Sequence, residues 1–139
     1  MNGNKINGLE RRFKCRFKPS IMKSIAFAKA YSFAISIVGM YKKLTVTKKE
    51  FILSKQCVRS GTAIGALLSE AEHAQSKADF LSKVSIALKE SNETQYWLNL
   101  LRDTGYLSAE EHASLYDSAA ELTRILASIV KTTKQNLSK

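Results

Sequence analysis

The sequence predicts an all-α protein, an up-down-up-down antiparallel bundle of four helices behind a flexible basic leader. Three observations carry that expectation. In four stretches apolar residues return at alternating spacings of four and three, the signature of one helical face. Capping patterns mark the helix starts at Thr47, Ser76 and Ser108. The chain has a single proline and 45% hydrophobic residues, enough for a packed core. No alternating strand pattern competes, and the short connections make consecutive helices antiparallel neighbours.

The first helix is expected over 24–44, starting as late as Ala30 on the narrowest reading, with Phe27, Tyr31, Ala34, Val38 and Tyr41 on its inward face and Ile35 beside them. Thr47-Lys-Lys-Glu50 reads as a capping box opening the second helix. Its stripe is Leu53, Cys57, Ile64, Leu67, Leu68 and Ala71. Gly61 and Gly65 interrupt it. Each costs about 1 kcal/mol against alanine in a helix, so close approach of a neighbouring backbone is the expected reason for them. They form no phosphate loop, because G-x-x-x-x-G-K-[ST] is missing.

The organising helix is the third. Ser76 is its N-cap, with Asp79 returning a bond to the cap. Phe80, Val84, Ala87, Ser91, Thr94, Leu98 and Leu101 form its inward face, and Gly105 stops it in the left-handed conformation. Leu81, Leu88, Trp97 and Leu100 widen the apolar arc, so this helix is expected to touch more than one neighbour. Trp97, Leu100 and Tyr96 are therefore the expected subunit contact. Ser108-Ala-Glu-Glu111 opens the fourth helix, where Leu115, Ala119, Leu122, Leu126, Ile129 and Thr133 repeat.

Charge is unevenly placed. The net charge is +10, but residues 1–29 hold eight basic side chains against Glu10 alone. Residues 1–21 read as a mobile tail, and a biological start at Met22 would remove it; the intact mass of natively expressed protein decides that point. The 22–139 segment is the expected domain. Within it Lys42, Lys43, Lys48, Lys49, Lys55 and Arg59 flank the first connection with Glu50 opposing, a pattern suited to phosphate contact. Glu110 and Glu111 arrive at the same end and weaken that field.

Other constellations carry little chemistry. Glu70-Ala-Glu-His73 has di-iron bundle spacing but lacks the second copy such a site needs. Glu90 and Glu93 are two carboxylates in the middle of the third helix, expected to be exposed or bonded to a partner helix rather than catalytic. Tyr96-Trp97 reads as core or subunit interface before it reads as a base-stacking pair. Cys15 and Cys57 build no framework or zinc site, and Cys57 is an expected buried free thiol. A reducing cytoplasm fits, no cofactor is expected, and no apolar run approaches the roughly 20 residues of a membrane span.

Gln56-Cys-Val-Arg-Ser-Gly-Thr-Ala-Ile-Gly65, Ser69-Glu-Ala71, Ala74-Gln-Ser-Lys77, Asp79-Phe80, Ile86-Ala-Leu-Lys-Glu90, Glu93-Thr94 and Tyr96-Trp-Leu98 together resemble a bacterial four-helix-bundle family. It includes proteins encoded within intervening sequences of large-subunit ribosomal RNA genes. Gly105-Tyr-Leu107 and Ile129-Val-Lys-Thr132 extend the likeness, which runs from Lys29 to Leu137. The resemblance implies a left-handed bundle assembled into a ring-like homo-oligomer, commonly a pentamer. A distant relative, the accessory protein of diversity-generating retroelements, is a basic pentamer that binds a reverse transcriptase and nucleic acid. The family usually has Asn where this chain has Leu67. None of these motifs is a catalytic signature. The expected role is a non-enzymatic oligomer that binds RNA, DNA or a nucleic-acid-associated protein; the alternative is a scaffolding oligomer whose lysines serve solubility.

Overall fold

In the computed structural model, which describes residues 21–138, four helices follow one another: α1 (Ile21–Thr47), α2 (Leu53–Glu72), α3 (Lys77–Asp103) and α4 (Ala109–Leu137). Consecutive helices pack together and α1 closes on α4, so the bundle has the up-down-up-down order of an all-α protein. No strand occurs among the described residues. Residues 1–20 of the expected leader, with Cys15, lie outside them, and its last residue, Ile21, opens α1.

The third helix forms as its sequence dictates. All seven residues of its inward face are buried, from Phe80 to Leu101. The Ser76 hydroxyl accepts the Asp79 N–H at 3.0 Å. The Asp79 carboxylate accepts from Gln75 N–H at 3.2 Å, one residue before the expected return to the cap. Gly105 ends the segment at φ +87°, where a side chain would be strained. Ser108 and Glu111 make the reciprocal capping box of α4.

Two expectations need correction. In α1 the inward face is Ala26, Ala30, Phe33, Ile37, Met40 and Leu44, all buried, while Tyr31 and Ile35 are each 62% exposed. The helix is apolar on most sides, so the face next to the true one repeats just as regularly; one residue of shift turns it by about 100°. Packing chose the side that fits the glycines of α2. A Cβ on Gly61 would lie 3.0 Å from Ile37 Cγ2, and one on Gly65 would lie 3.7 Å from Ala30 Cβ. The expected close approach is real, and α2 runs unbroken through both glycines.

The second correction concerns the start of α2. Thr47 ends α1 and caps nothing. The cap is Glu50, whose carboxylate accepts the N–H groups of Ile52, Leu53 and Ser54 at 3.0, 2.7 and 2.7 Å. The Ser54 hydroxyl donates back to Glu50 C=O at 3.0 Å. A Glu at this position meets three unsatisfied donors and the positive end of the helix dipole together.

The expectation that no apolar run approaches a membrane span also needs correction: by length and composition alone 23–47 is apolar enough to cross one, with a mean hydropathy of 1.3 and 28% of its most apolar window buried. Its inward face is packed into the bundle core.

Candidate nucleic-acid interface

The connection between α1 and α2 gathers the basic residues. Leu44 C=O accepts the N–H groups of both Lys48 and Glu50, at 3.1 and 3.2 Å, which closes the end of α1. Lys49 takes a left-handed conformation at φ 54° to make the turn. Glu50 then folds inward to 7% exposure and caps α2. Burial alone would raise its carboxyl pKa, but the bonds from Ser54, Leu53 and Ile52 outweigh it and hold the group below its ordinary value. The one acid of the connection is thus ionised and turned toward the helix.

Of the six basic residues singled out, the structure leaves four open and ties down two. Lys42, Lys48, Lys49 and Lys55 are exposed and make no ion pair among the described residues. They occupy the last turns of α1, the connection and the first turn of α2. Lys43 instead bonds Glu111 at 2.6 Å, which pulls that carboxyl down to about 2. Arg59 lies one turn further along α2 and bonds Glu93 at 2.7 Å, with Glu90 at 3.6 Å. Beside the open lysines stand side chains that the sequence reading left unremarked: Val46, Phe51 and Ile52 are 71%, 54% and 76% exposed. Their signal was local, since Phe51-Ile52 precede α2 and fall outside its stripe.

Glu90 and Glu93 belong to a bonded network. Glu93 accepts from Arg59 and from Trp97 Nε1, the latter at 3.1 Å. The Arg59 bond holds the Glu93 carboxyl low, while burial pushes Glu90 up. Glu90 Oε2 is buried without a hydrogen-bond partner. Trp97 is half-buried, with its indole committed to Glu93, and Tyr96 is 59% exposed with its ring 5.0 Å away, edge to face. Leu100 is half-buried. These three residues therefore do not form one open apolar patch.

Behind this network runs a buried polar seam. Thr94 Oγ1 donates to Ser60 Oγ at 2.9 Å and also meets Glu90 C=O at 2.7 Å; Ser60 meets Cys57 C=O at 3.2 Å. Ser91 Oγ reaches Ala119 C=O at 3.2 Å and Thr123 Oγ1 at 2.7 Å. Each hydroxyl is satisfied across a helix pair, which fixes helix register. The Cys57 thiol is free and buried, pushed up to about 12.

The histidines hold no metal pair. His73 is exposed, and Glu70 bonds Lys83 at 3.4 Å. His112 is buried against Tyr116, with Nε2 2.8 Å from Asn99 Oδ1. Burial pushes its pKa down and keeps the ring neutral. No group of three His, Cys, Asp or Glu side chains suited to a metal occurs among the described residues.

Comparison with known proteins adds a lineage to this geometry. The model of the family described as 23S rRNA-intervening sequence protein matches residues 22–128. A solved structure from Bacteroides thetaiotaomicron, a protein of unknown function from the S23 ribosomal protein family, is 48% identical to this chain. The match covers 80% of this chain and 99% of that one, with a TM-score of 0.79. No curated protein matches.

Proposed function

The chain belongs to the 23S rRNA-intervening sequence protein family, and from that footing we propose that it is a non-enzymatic homo-oligomeric bundle that binds nucleic acid, or a protein associated with nucleic acid, through the end of the bundle where α1 meets α2. The observation that carries the reading is the set of four open lysines, Lys42, Lys48, Lys49 and Lys55, around a connection whose one acid is turned inward. Lysines of this kind meet phosphates as point charges and give binding without base readout. Lys43 and Arg59 serve the fold, so the contact set is smaller than the sequence suggested.

The oligomer rests on a second observation. α1 presents Ile25, Tyr31 and Ile35 to solvent at 40%, 62% and 62% exposure, in a helix with no acidic residue. An apolar helix face of this kind is suited to a neighbouring subunit. The reading places the subunit contact there ahead of Trp97 and Leu100, with five copies in a ring as the resemblance implies. The cytoplasm suits a protein with a free buried thiol.

The test is RNA and DNA binding across a salt series, with the chain begun at Met22 beside the full chain. Four phosphate contacts on duplex DNA give a slope of about −3.6 in log K against log salt. Lys48→Gln with Lys49→Gln should remove about half of that slope. Binding that needs residues 1–21, or a slope indifferent to these lysines, refutes the reading and leaves a scaffolding oligomer.

A further inference from the structure

The connection between α1 and α2 carries more than charge. Val46, Phe51 and Ile52 are 71%, 54% and 76% exposed there, interleaved along the chain with the open Lys42, Lys48, Lys49 and Lys55. Scattered apolar side chains on a surface are ordinary, but three on one short connection, set among lysines, make a mixed basic and apolar tip. Such a tip suits a ligand that is itself an anionic backbone with flat apolar groups hung on it.

Phe51 is fixed at its backbone and open at its ring. Glu50 before it is 7% exposed, and the Glu50 carboxylate accepts the N–H of Ile52 after it at 3.0 Å and that of Leu53 at 2.7 Å. The Phe51 backbone is thus spanned by a bonded carboxylate, and a residue already ordered in this way loses little freedom when a ligand arrives. A duplex keeps its bases stacked, so an aromatic tip enters it only by prying a step apart. A single strand offers free base faces, and an aromatic ring stacks on any of them. Tyr96 and Trp97, the pair that the sequence offers for stacking, are less suited. The Trp97 indole N–H is committed to Glu93, and Tyr96 meets the indole edge to face.

We propose that this end of the bundle takes single-stranded rather than duplex nucleic acid, with a base stacked on Phe51 and the flanking phosphates on Lys48, Lys49 and Lys55. The assignment rests on the nucleic-acid reading of this end and narrows it to one kind of strand. Its affinity then has two separable parts: a salt-dependent part carried by the lysines, and a salt-independent part carried by the ring.

Fluorescence anisotropy of the full chain with labelled oligo(dT), oligo(U) and a DNA duplex of equal length, across a salt series, tests it. Phe51 is exposed, so substitutions there leave the core intact. Phe51→Ala should weaken both single strands about tenfold, with their salt slope and the duplex affinity unchanged. Phe51→Trp should keep single-strand binding. Phe51→Leu, which keeps apolar bulk without a ring, should behave like Phe51→Ala. Lys48→Gln with Lys49→Gln should instead lower the salt slope. If Phe51→Ala changes nothing while the lysine variant lowers the slope, the stacking assignment falls and phosphate contact stands. If neither variant changes binding, the nucleic-acid reading of this end falls with it. Phe51→Leu binding like the wild type overturns the base contact, and equal loss on strand and duplex overturns the preference for a single strand. Vesicles of phosphatidylserine and phosphatidylcholine are the control: if Phe51→Ala abolishes binding to them and leaves the oligonucleotides unmoved, the tip belongs to an anionic lipid surface and the proposal is overturned.

Discussion

Gly61 and Gly65 look alike in sequence, but the structure gives their alanine variants opposite signs. Replacing a glycine in a helix interior gains about 1 kcal/mol from backbone entropy. At Gly65 the new methyl would sit 3.7 Å from Ala30 Cβ, an ordinary contact, so the gain is kept. At Gly61 it would sit 3.0 Å from Ile37 Cγ2 and 3.1 Å from Cγ1. Ile37 is 0% exposed, and a β-branched residue in a helix has one favoured rotamer, so it has nowhere to move. Overpacking of this kind costs about 1–3 kcal/mol, which leaves Gly61→Ala about 1 kcal/mol less stable after the entropy gain. The two variants should differ by about 2 kcal/mol. Urea denaturation followed by circular dichroism at one protein concentration reads the difference, since an oligomer's stability depends on concentration. Ile37→Ala removes both clashing carbons, so the double variant should show favourable coupling of about 1–2 kcal/mol. Equal stabilisation by both glycine substitutions, without coupling to Ile37, would refute the close-packing argument.

Three further predictions concern other parts of the bundle. Glu50→Ala leaves three N–H groups at the start of α2 without their acceptor and should cost about 1–2 kcal/mol by the same denaturation assay, whereas Thr47→Ala should cost little. The Glu111 carboxyl is lowered to about 2 from 4.5, so its contribution is present above 4.5 and lost as pH falls toward 2; a pH series of melting temperatures should show a smaller acid loss in Lys43→Met than in the wild type. Ile35→Asp, on the outer face of α1, should lower the mass read by light scattering, while Trp97→Ala should lower the melting temperature and leave the mass unchanged; the reverse pattern would return the subunit contact to α3.

The third and first helices show why one face was legible and the other was not. In α3 polar residues such as Lys83, Lys89 and Asn92 interrupt the apolar ones, and the period that survives has one solution. In α1 apolar residues occur almost everywhere, and 26, 30, 33, 37, 40 and 44 repeat with the same spacings as 27, 31, 34, 38 and 41. Period cannot choose between them. Shape can, because Gly61 and Gly65 of α2 need small or exact partners, and Ala30 and Ile37 supply them. The candidate site was legible only as composition. Six basic residues stood out together, but which of them were free depended on distant carboxylates: Glu90 and Glu93, on the next helix, for Arg59, and Glu111, 68 residues away, for Lys43. The Glu50 cap was hidden for a related reason: the Thr47 pattern offered a familiar solution three residues too early.

Arg59 is where reading charge alone would mislead an experiment. As a surface cation it invites substitution in a nucleic-acid assay, yet it stands between two carboxylates. Remove it, and Glu90 and Glu93 are left adjacent, with Glu90 Oε2 already buried and without a hydrogen-bond partner. Burial already raises the Glu90 pKa and the Arg59 charge opposes the rise, so Arg59→Gln should raise it further. An acid whose folded pKa lies above its unfolded value contributes stability that is full below the unfolded pKa and lost as pH rises through the folded one. Arg59→Gln should therefore be destabilised at pH 7 and recover toward the wild type near pH 4. Adding Glu90→Gln should restore much of the loss at pH 7, because a neutral amide needs no counter-charge. If Arg59→Gln instead melts like the wild type at every pH, the guanidinium is not holding the pair together, and Arg59 rejoins Lys42, Lys48, Lys49 and Lys55 as a residue free to meet phosphate.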